Sequence, residues 1–553
     1  YGQMHLPMRL LMMIKKHLIQ SLRDVLHLLN IQAEPIQITP TKNPRFGDLS
    51  TNLAFNLAKK IGGKPIDIAY RLKTHLKLDS DLIQETSVSE PGFINFQISK
   101  SYYQRLPELI LKEGKHYGKG TAGKGKTANV EFVSANPTGP LTVGHGRQAV
   151  LGDTGASILE WHGYDVTREY YYNNAGRQMR LLRQSVEARY FQELGNDIPL
   201  PEGGYKGEYI RDIVKIIRQE HGDKLRSDDT IFQKKAEEYI FNNIKSSLQK
   251  IGVKHDCFTN EKTYYENRAI DEIIRALKQK DLIYESEGAT WFKASAIGKS
   301  QDRVLIKSTG EPTYRLPDMA YHQDKINRGF DLIVDVFGAD HVDTYPDVLS
   351  CLDALHYDTS KIKVLIHQFV TLVEAGKTVK MSTREGQFIT LENLINETGP
   401  DVVRYFFVMR GMNSHLNFDM DTAKDQSDQN PVYYLQYAHA RIANIIKHGE
   451  SLGYTLNTSF DPALLIHSSE LDLLKQLDHF PIVMDTALET LEPQGIANYL
   501  QSLAAHFHKF YAVCRVITDD KSLSQSRLAL ISAVQAVLAN GLRILGIQTP
   551  ERM

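Results

Sequence analysis

Two short stretches carry residue types suited to polyphosphate chemistry. The first is Thr142-Val-Gly-His145, which directly follows Glu131-Phe-Val-Ser-Ala-Asn-Pro-Thr-Gly-Pro140. Val130 to Val133 reads as a short buried strand, Asn136 to Gly139 breaks it, and Gly144 to Trp161 has the spacing of a helix. A strand that delivers a Gly-rich turn onto a helix N-terminus presents unpaired N–H groups where polyphosphate can sit. A histidine at that point can donate to developing negative charge. Taken alone, the pattern fits an ordinary strand-to-helix turn equally well. The second stretch is Lys380-Met-Ser-Thr-Arg384, after the strand-like run His367 to Val373 and a turn around Gly376. A lysine beside small polar residues suits a departing pyrophosphate, and alone it also suits a solvated loop.

The two stretches in this order resemble the HIGH and KMSKS signatures of class I aminoacyl-tRNA synthetases. The segment Ser134-Ala-Asn-Pro-Thr-Gly-Pro-Leu-Thr-Val-Gly-His-Gly-Arg147 resembles the arginyl-tRNA synthetase family in particular. Further matches run in order along the chain: Phe46-Gly-Asp-Leu-Ser-Thr-Asn52, Asn173-Asn-Ala-Gly-Arg-Gln178, Thr313-Tyr-Arg-Leu-Pro-Asp318, Gly338-Ala-Asp-His341, Tyr437-Ala-His-Ala-Arg441 and Pro550-Glu-Arg-Met553. One position departs: where the family commonly begins the HIGH motif with His, this chain has Thr142.

The resemblance implies ATP-dependent activation of L-arginine and its transfer to tRNA(Arg). The amino-acid carboxylate attacks the α-phosphorus of ATP and pyrophosphate leaves, so positioning and charge stabilisation carry the rate. On this reading Thr142, Gly144, His145, Gly146, Lys380, Met381 and Ser382 contact ATP, with His145 and Lys380 acting on the phosphates and Mg²⁺ bound to them. Glu131, Asn136, Tyr314, Asp318 and His341 line the arginine site. Glu131 and Asp318 are the carboxylates expected to meet the planar guanidinium. Tyr314 and Asp318 lie four residues apart, so one helical turn would place ring beside carboxylate. Asp340 and His341 have no partner cluster at ligand spacing, and no protein-held metal is expected.

The elements that must position these residues are legible in outline. The chain has 553 residues, enough for three or four domains. An N-terminal α+β domain is expected over residues 1–112, opened by an amphipathic helix from Leu10, with strand alternation at Gly92 to Ile98. A Rossmann-like parallel-sheet domain is expected over 125–425. Within it lies an insertion at about 180–290, and strand-like runs follow at Ala289–Ala294, Val304–Lys307, Leu332–Phe337 and Val364–Val370. An all-α bundle is expected over 430–553 from Tyr433–Lys447, Leu471–Leu491, Pro493–Val516 and Ser524–Ile544. By the resemblance, that bundle binds the anticodon and the N-terminal domain touches the outer corner of the tRNA.

Composition constrains partners more than chemistry. The formal net charge of −1 gives no global basic field, so nucleic acid must be met by local patches. Cys257, Cys351 and Cys514 form no CxxC pair, which argues against a zinc knuckle or a disulfide framework. The N-terminal apolar run Leu10 to Ile14 is too short for a signal core or a membrane span. A cytoplasmic monomer without membrane contact is expected. Two alternatives stay open at this point: a catalytically weak tRNA-binding paralogue, because of Thr142, and a small-molecule nucleotidylyltransferase sharing the first signature.

Overall fold

In a computed structural model, which describes residues 10–32, 35–41, 43–379, 389–455 and 459–553, the strand before the first signature becomes the middle of a five-stranded sheet. Its strands are β1 (Thr127–Glu131), β2 (Asp165–Tyr172), β3 (Cys257–Asn260), β4 (Leu332–Gly338) and β5 (Ile362–His367). They lie in the order β5-β4-β1-β2-β3, and every neighbouring pair is parallel. The chain leaves β1 toward β2 and β3 on one side and returns as β4 on the other. A crevice therefore opens beyond the carboxyl ends of β1 and β4.

Helix α1 (Val143–Trp161) follows β1 and is buried over most of its surface. Gly152 permits that depth, because a Cβ there would run into the Phe132 ring. Helix α2 (Arg315–Asn327) precedes β4 and covers the same end of the sheet.

Two strands expected in this sheet lie elsewhere. Ala289–Phe292 and Arg303–Ile306 are strands, but they join Ile283–Ser286 in a separate antiparallel sheet. The cause is local: Glu287 and Gly288 both have positive φ, 53° and 73°, the backbone of a two-residue hairpin, and a hairpin permits only antiparallel pairing. This subdomain has its own core, built on Ile273, Leu277, Phe292, Leu305, Leu316 and Met319. Conversely β3 falls inside the stretch expected as an insertion. The helices Gly176–Glu193, Glu208–His221 and Ile231–Lys250 are the crossover from β2 to β3.

Residues Leu10–Leu28, Leu53–Ile61 and Pro65–His75 are helices of the N-terminal domain, accompanied by a four-stranded antiparallel sheet that includes Phe93–Ile98. At the other end, α3 (Pro431–Ser451), α4 (Ser468–Thr490), α5 (Gln494–Val513) and α6 (Lys521–Ile544) form the helical bundle. Helix α6 is long and apolar enough to cross a membrane, yet its apolar face is the buried centre of this bundle.

Buried polar contacts join the units. Arg404 donates to Asp153 Oδ2 at 2.7 Å, to the Ile251 carbonyl at 2.8 Å and to the Leu545 carbonyl at 2.7 Å, tying α1, the crossover and the chain beyond α6. Tyr102 OH donates to Asp478 Oδ1 at 2.8 Å, linking the segment after the N-terminal sheet to α4.

Asp478 is buried, and that burial pushes its carboxyl up to about 7. A carboxyl raised on folding contributes stability that is complete below the ordinary carboxylate range and is lost as pH rises through about 7. Asp478→Asn keeps an acceptor for Tyr102 and removes the titration. It should raise the unfolding midpoint relative to wild type more at pH 8 than at pH 5, and by the same amount at pH 8 and pH 9. A midpoint difference that does not vary with pH would show that Asp478 is not the group responsible.

Candidate active site

The floor of the crevice is set by a lysine. Glu131 ends β1, and Asp335 of β4 is its direct neighbour in the parallel register. Two adjacent buried carboxylates would repel each other. Lys325 of α2, with no exposed surface, lies between them: it donates to Glu131 Oε2 and, at 2.6 Å, to Asp335 Oδ1. His322, one turn earlier, meets Asp335 Oδ2 at 3.0 Å. Glu131, His322 and Asp335 lie close enough to hold a cation, and the two carboxylates hold the Lys325 ammonium, while His322 is engaged by Asp335 and the Asp318 carbonyl. Beyond β1 the backbone is strained: Val133 and Ser134 have φ of 71° and 43°, a conformation β-branched residues rarely adopt. The strain turns the Ser134 hydroxyl back to donate to Glu131 Oε1 at 2.8 Å and accept from Tyr171 N–H at 3.1 Å.

Above this floor is a cavity of about 560 Å³. It brings together Glu131, Asn136, Tyr314, Asp318 and His341 with His145, residues from segments far apart in the chain. Tyr314 caps α2 and is 75% exposed at the mouth. Asn136 accepts from Asn173 N–H at 2.9 Å and donates to Gln178 Oε1 at 3.0 Å. His341 is exposed and stacks on Phe337, with ring centroids 5.1 Å apart. Asp318 has no ion-pair partner among the described residues. Burial, with Glu261 and Glu131 nearby, pushes its carboxyl up to about 7.

Sequence reasoning missed Glu261. It lines the same cavity, is buried, and accepts from Asn173 Nδ2 at 2.7 Å and Tyr171 OH at 3.1 Å. No local spacing marks it, because it follows the short strand β3. The signal was the Asn173-containing stretch to which it is bonded. The aromatic wall was also missed: Tyr171 and Tyr321 stack with centroids 4.2 Å apart.

At the other end of the cavity, Thr142 is the N-cap of α1. Its hydroxyl accepts from His145 N–H, and its own N–H donates to His145 Nδ1 at 3.2 Å. An Nδ1 that accepts leaves the ring proton on Nε2. Burial holds the imidazole well below its ordinary range, to about 4, against the pull of Asp340. His145 is thus a neutral donor fixed by the helix cap. A Cβ at Gly144 would be in ordinary contact with the Thr142 hydroxyl, at 3.7 Å. Gly146 is different: a Cβ there would lie 2.6 Å from Leu391 and 3.1 Å from Phe407, so its small size serves helix packing. Lys380, Met381 and Ser382 lie outside the described residues. The chain just after them is fixed to the first signature, since Leu391 N–H donates to the Leu141 carbonyl at 2.8 Å and Thr390 bridges Thr142. His367, at the end of β5, was also missed; its buried Nε2 has no partner.

This is the catalytic architecture of a class I synthetase: residues 105–407 match the family described as tRNA synthetases class I (R), catalytic domain. Residues 12–98 match the arginyl tRNA synthetase N terminal domain, and 435–553 the DALR anticodon binding domain. A relative from Chlorobaculum tepidum named arginine–tRNA ligase is 47% identical over 543 residues, covering 96% of this chain and 98% of its own. One from Salinibacter ruber with the same name is 46% identical over 94% of this chain and 96% of its own. The arginyl-tRNA synthetase of Thermus thermophilus has the same fold, with a TM-score of 0.73 at 21% identity over 97% of this chain and all of that one. The chain belongs to the arginyl-tRNA synthetase family and is a ligase.

The cap geometry gives a direct test. Thr142→Ala removes the acceptor for His145 N–H and should cost about 1 kcal/mol, whereas Thr142→Ser should cost only a few tenths. Equal losses for the two variants in urea titrations would mean that the hydroxyl does not cap α1.

Proposed function

We propose that the cavity holds L-arginine over Asp318 and Glu261, with its carboxylate directed toward ATP at the N-terminus of α1. The reaction is arginine–tRNA ligation: ATP, L-arginine and tRNA give arginyl-tRNA, AMP and pyrophosphate. One observation carries the amino-acid assignment. Asp318 and Glu261 are two carboxylates on one cavity, lined by no lysine or arginine, and neither forms an ion pair among the described residues, which is the charge pattern a guanidinium satisfies. Glu131 borders the same space, but Lys325 already neutralises it. It therefore offers acceptor capacity and shape, and the guanidinium charge falls to the other two. Tyr171, backed by Tyr321, and Tyr314 supply flat faces beside a planar cation.

At the nucleotide end the groups presented are donors. The free N–H groups of the first turn of α1 and His145 Nε2–H meet the negative charge that builds on the α-phosphate as the arginine carboxylate attacks. Lys380, Met381 and Ser382 are assigned to ATP by the family resemblance, with Lys380 on the pyrophosphate. Among the described residues this end carries a single carboxylate, Asp340, too few to hold Mg²⁺ without the phosphates of ATP. The Mg²⁺ is accordingly assigned to the phosphates of ATP itself.

Transfer needs the tRNA 3′ end at this cavity and its anticodon elsewhere. On the bundle, Arg441 lies over the Tyr437 and Tyr511 rings at 5.2 and 4.8 Å, on the wall of a cavity of about 810 Å³. Cation and aromatic faces together suit splayed bases on a phosphate backbone. This surface, with Tyr433, Tyr434, His508 and Lys509 on the same helices, is our assignment for anticodon recognition. It also weighs against a small-molecule nucleotidylyltransferase, which has no use for it. A binding-only paralogue is disfavoured because Thr142 holds His145 in a donor state. We read the enzyme as a monomer acting in the cytoplasm; its three free thiols support a reducing compartment.

The pocket assignment predicts a pH signature. Below about pH 7 Asp318 is protonated in the free enzyme and must lose that proton to meet arginine. The kcat/KM for arginine should therefore fall roughly tenfold per pH unit below about 7. Asp318→Asn should abolish that slope and raise the KM for arginine by the equivalent of about 2 to 5 kcal/mol, with ATP little affected. Wild type should reject the neutral isostere citrulline; equal charging of arginine and citrulline would sink the assignment. His145→Ala should slow adenylate formation by ~10² to 10³ with folding intact, and near-normal turnover would remove its role.

A further inference from the structure

Arg147 lies two residues beyond His145 on α1 and has no exposed surface. No carboxylate balances it among the described residues; burial lowers its guanidinium to about 10, still a cation at neutral pH. Its charge is met by main-chain carbonyls. Nη1 donates to the Gln368 carbonyl at 2.7 Å and to the Ser414 carbonyl at 3.1 Å, and Nη2 donates to the Gly411 carbonyl at 3.0 Å.

Those carbonyls share a register. Val370–Glu374 and Leu416–Asp419 are parallel strands in which Val370 pairs with Leu416. Gln368 and Ser414 each lie two residues ahead of that pair, so one planar guanidinium spans the starts of both strands. After the first of these strands the chain turns at Ala375 and Gly376 and folds back on it as the antiparallel strand Lys377–Thr378, two residues before Lys380 in sequence. After residue 388, the chain returns to α1 through Leu391 N–H on the Leu141 carbonyl. Helix α1 therefore touches the polypeptide on both sides of the second signature.

We propose that Arg147 is a positioning residue for arginine activation: through the carbonyls of Gln368, Gly411 and Ser414 it registers the strand leading to Lys380 against the helix that carries His145. It touches neither ATP nor arginine. Lysine does not replace it, because a point-like ammonium lacks the flat fork that reaches two in-register carbonyls and a third at once. The inference rests on the assignment of His145 and Lys380 to ATP, so its test must separate the two.

The test uses full-length Arg147→Lys and Arg147→Gln, with Lys380→Ala as a control. Three quantities are read: adenylate formation per active site by ATP–pyrophosphate exchange with tRNA present, the KM for arginine, and hydrogen exchange of segment 368–379. Arg147→Lys and Arg147→Gln should lower kcat for exchange by ~10-fold to 10²-fold, Gln more than Lys, and leave the KM for arginine within about twofold. They should also speed hydrogen exchange in 368–379. Two outcomes overturn the proposal: unchanged per-site kcat in folded variants, or a lower unfolding midpoint with per-site kcat and exchange at 368–379 unchanged, which marks a merely structural arginine. If the Arg147 variants do not fold, Ser414→Pro perturbs the segment carrying two of the three carbonyls without touching the guanidinium, and unchanged kcat there overturns the proposal as well. Full activity of Lys380→Ala would instead refute the assignment of the second signature to ATP. The hydrogen-exchange result would still decide whether Arg147 holds the strand.

Discussion

A fully buried ammonium is the constraint on which the site depends. Lys325 joins Glu131 and Asp335, the last residue of β1 and its in-register neighbour on β4. These two strands flank the point where the sheet order reverses, and the lysine lets their two carboxylates lie side by side at the floor of the crevice. Removing one member of such a cluster leaves an uncompensated buried charge, a loss typically of about 3 to 5 kcal/mol. The same side chain explains why α2 takes its particular rotation: with Lys325 directed at the floor, His322 is held on Asp335 and Asp318, two turns earlier, faces the cavity. Charge balance below thus determines which carboxylate remains available above.

Catalysis also requires the two signatures to meet, and here backbone contacts matter more than side-chain chemistry. Gly146 lets Leu391 close on α1, Thr142 caps the helix and orients His145, and the Leu141 carbonyl holds the chain beyond residue 388. Arg404 extends this rigidity outward by binding Asp153 of α1 together with carbonyls from the crossover and from the end of the bundle. A disturbance at the bundle therefore has a direct polar route to the catalytic helix.

Much of this was legible in the sequence wherever a local pattern had a local cause. The bundle helices were visible by apolar spacing, and β1 with its turn and α1 was visible through the Pro and Gly breaks. The strand β2 was hidden by Arg168 and Glu169, charges that look solvent-exposed until Asp153, Glu160 and Arg328 are seen to pair with them. Strands Ala289–Phe292 and Arg303–Ile306 were recognisable as strands, but sheet membership is settled by a hairpin at Glu287 and Gly288, not by hydrophobic alternation. At the site, Glu131, Asn136, Tyr314, Asp318 and His341 were identifiable through motif resemblance and do converge on one cavity. Glu261 was not, because its partners Tyr171 and Asn173 come from another strand. Nor could spacing show that Glu131 is already paired, since Lys325 is remote in sequence.

The buried cations of this enzyme follow a gradation that explains how a cation can be recognised at all. Lys325 consumes two carboxylates, Arg404 consumes one and completes its shell with carbonyls, and Arg147 takes carbonyls alone. Carbonyl dipoles satisfy a guanidinium's donors without contributing net negative charge. Had Arg147 and Arg404 been balanced fully by acids, more carboxylates would be needed in the interior. Had α2 carried a second lysine or arginine paired with Asp318, that carboxylate would already be neutralised. Instead Asp318 and Glu261 form no ion pair among the described residues, at the energetic cost visible in the raised pKa of Asp318. On the proposed arginine site, a bound guanidinium would remove that cost and a neutral isostere would leave it in place, so discrimination would arise from a charge deficit built into the empty pocket as much as from contacts made in the full one.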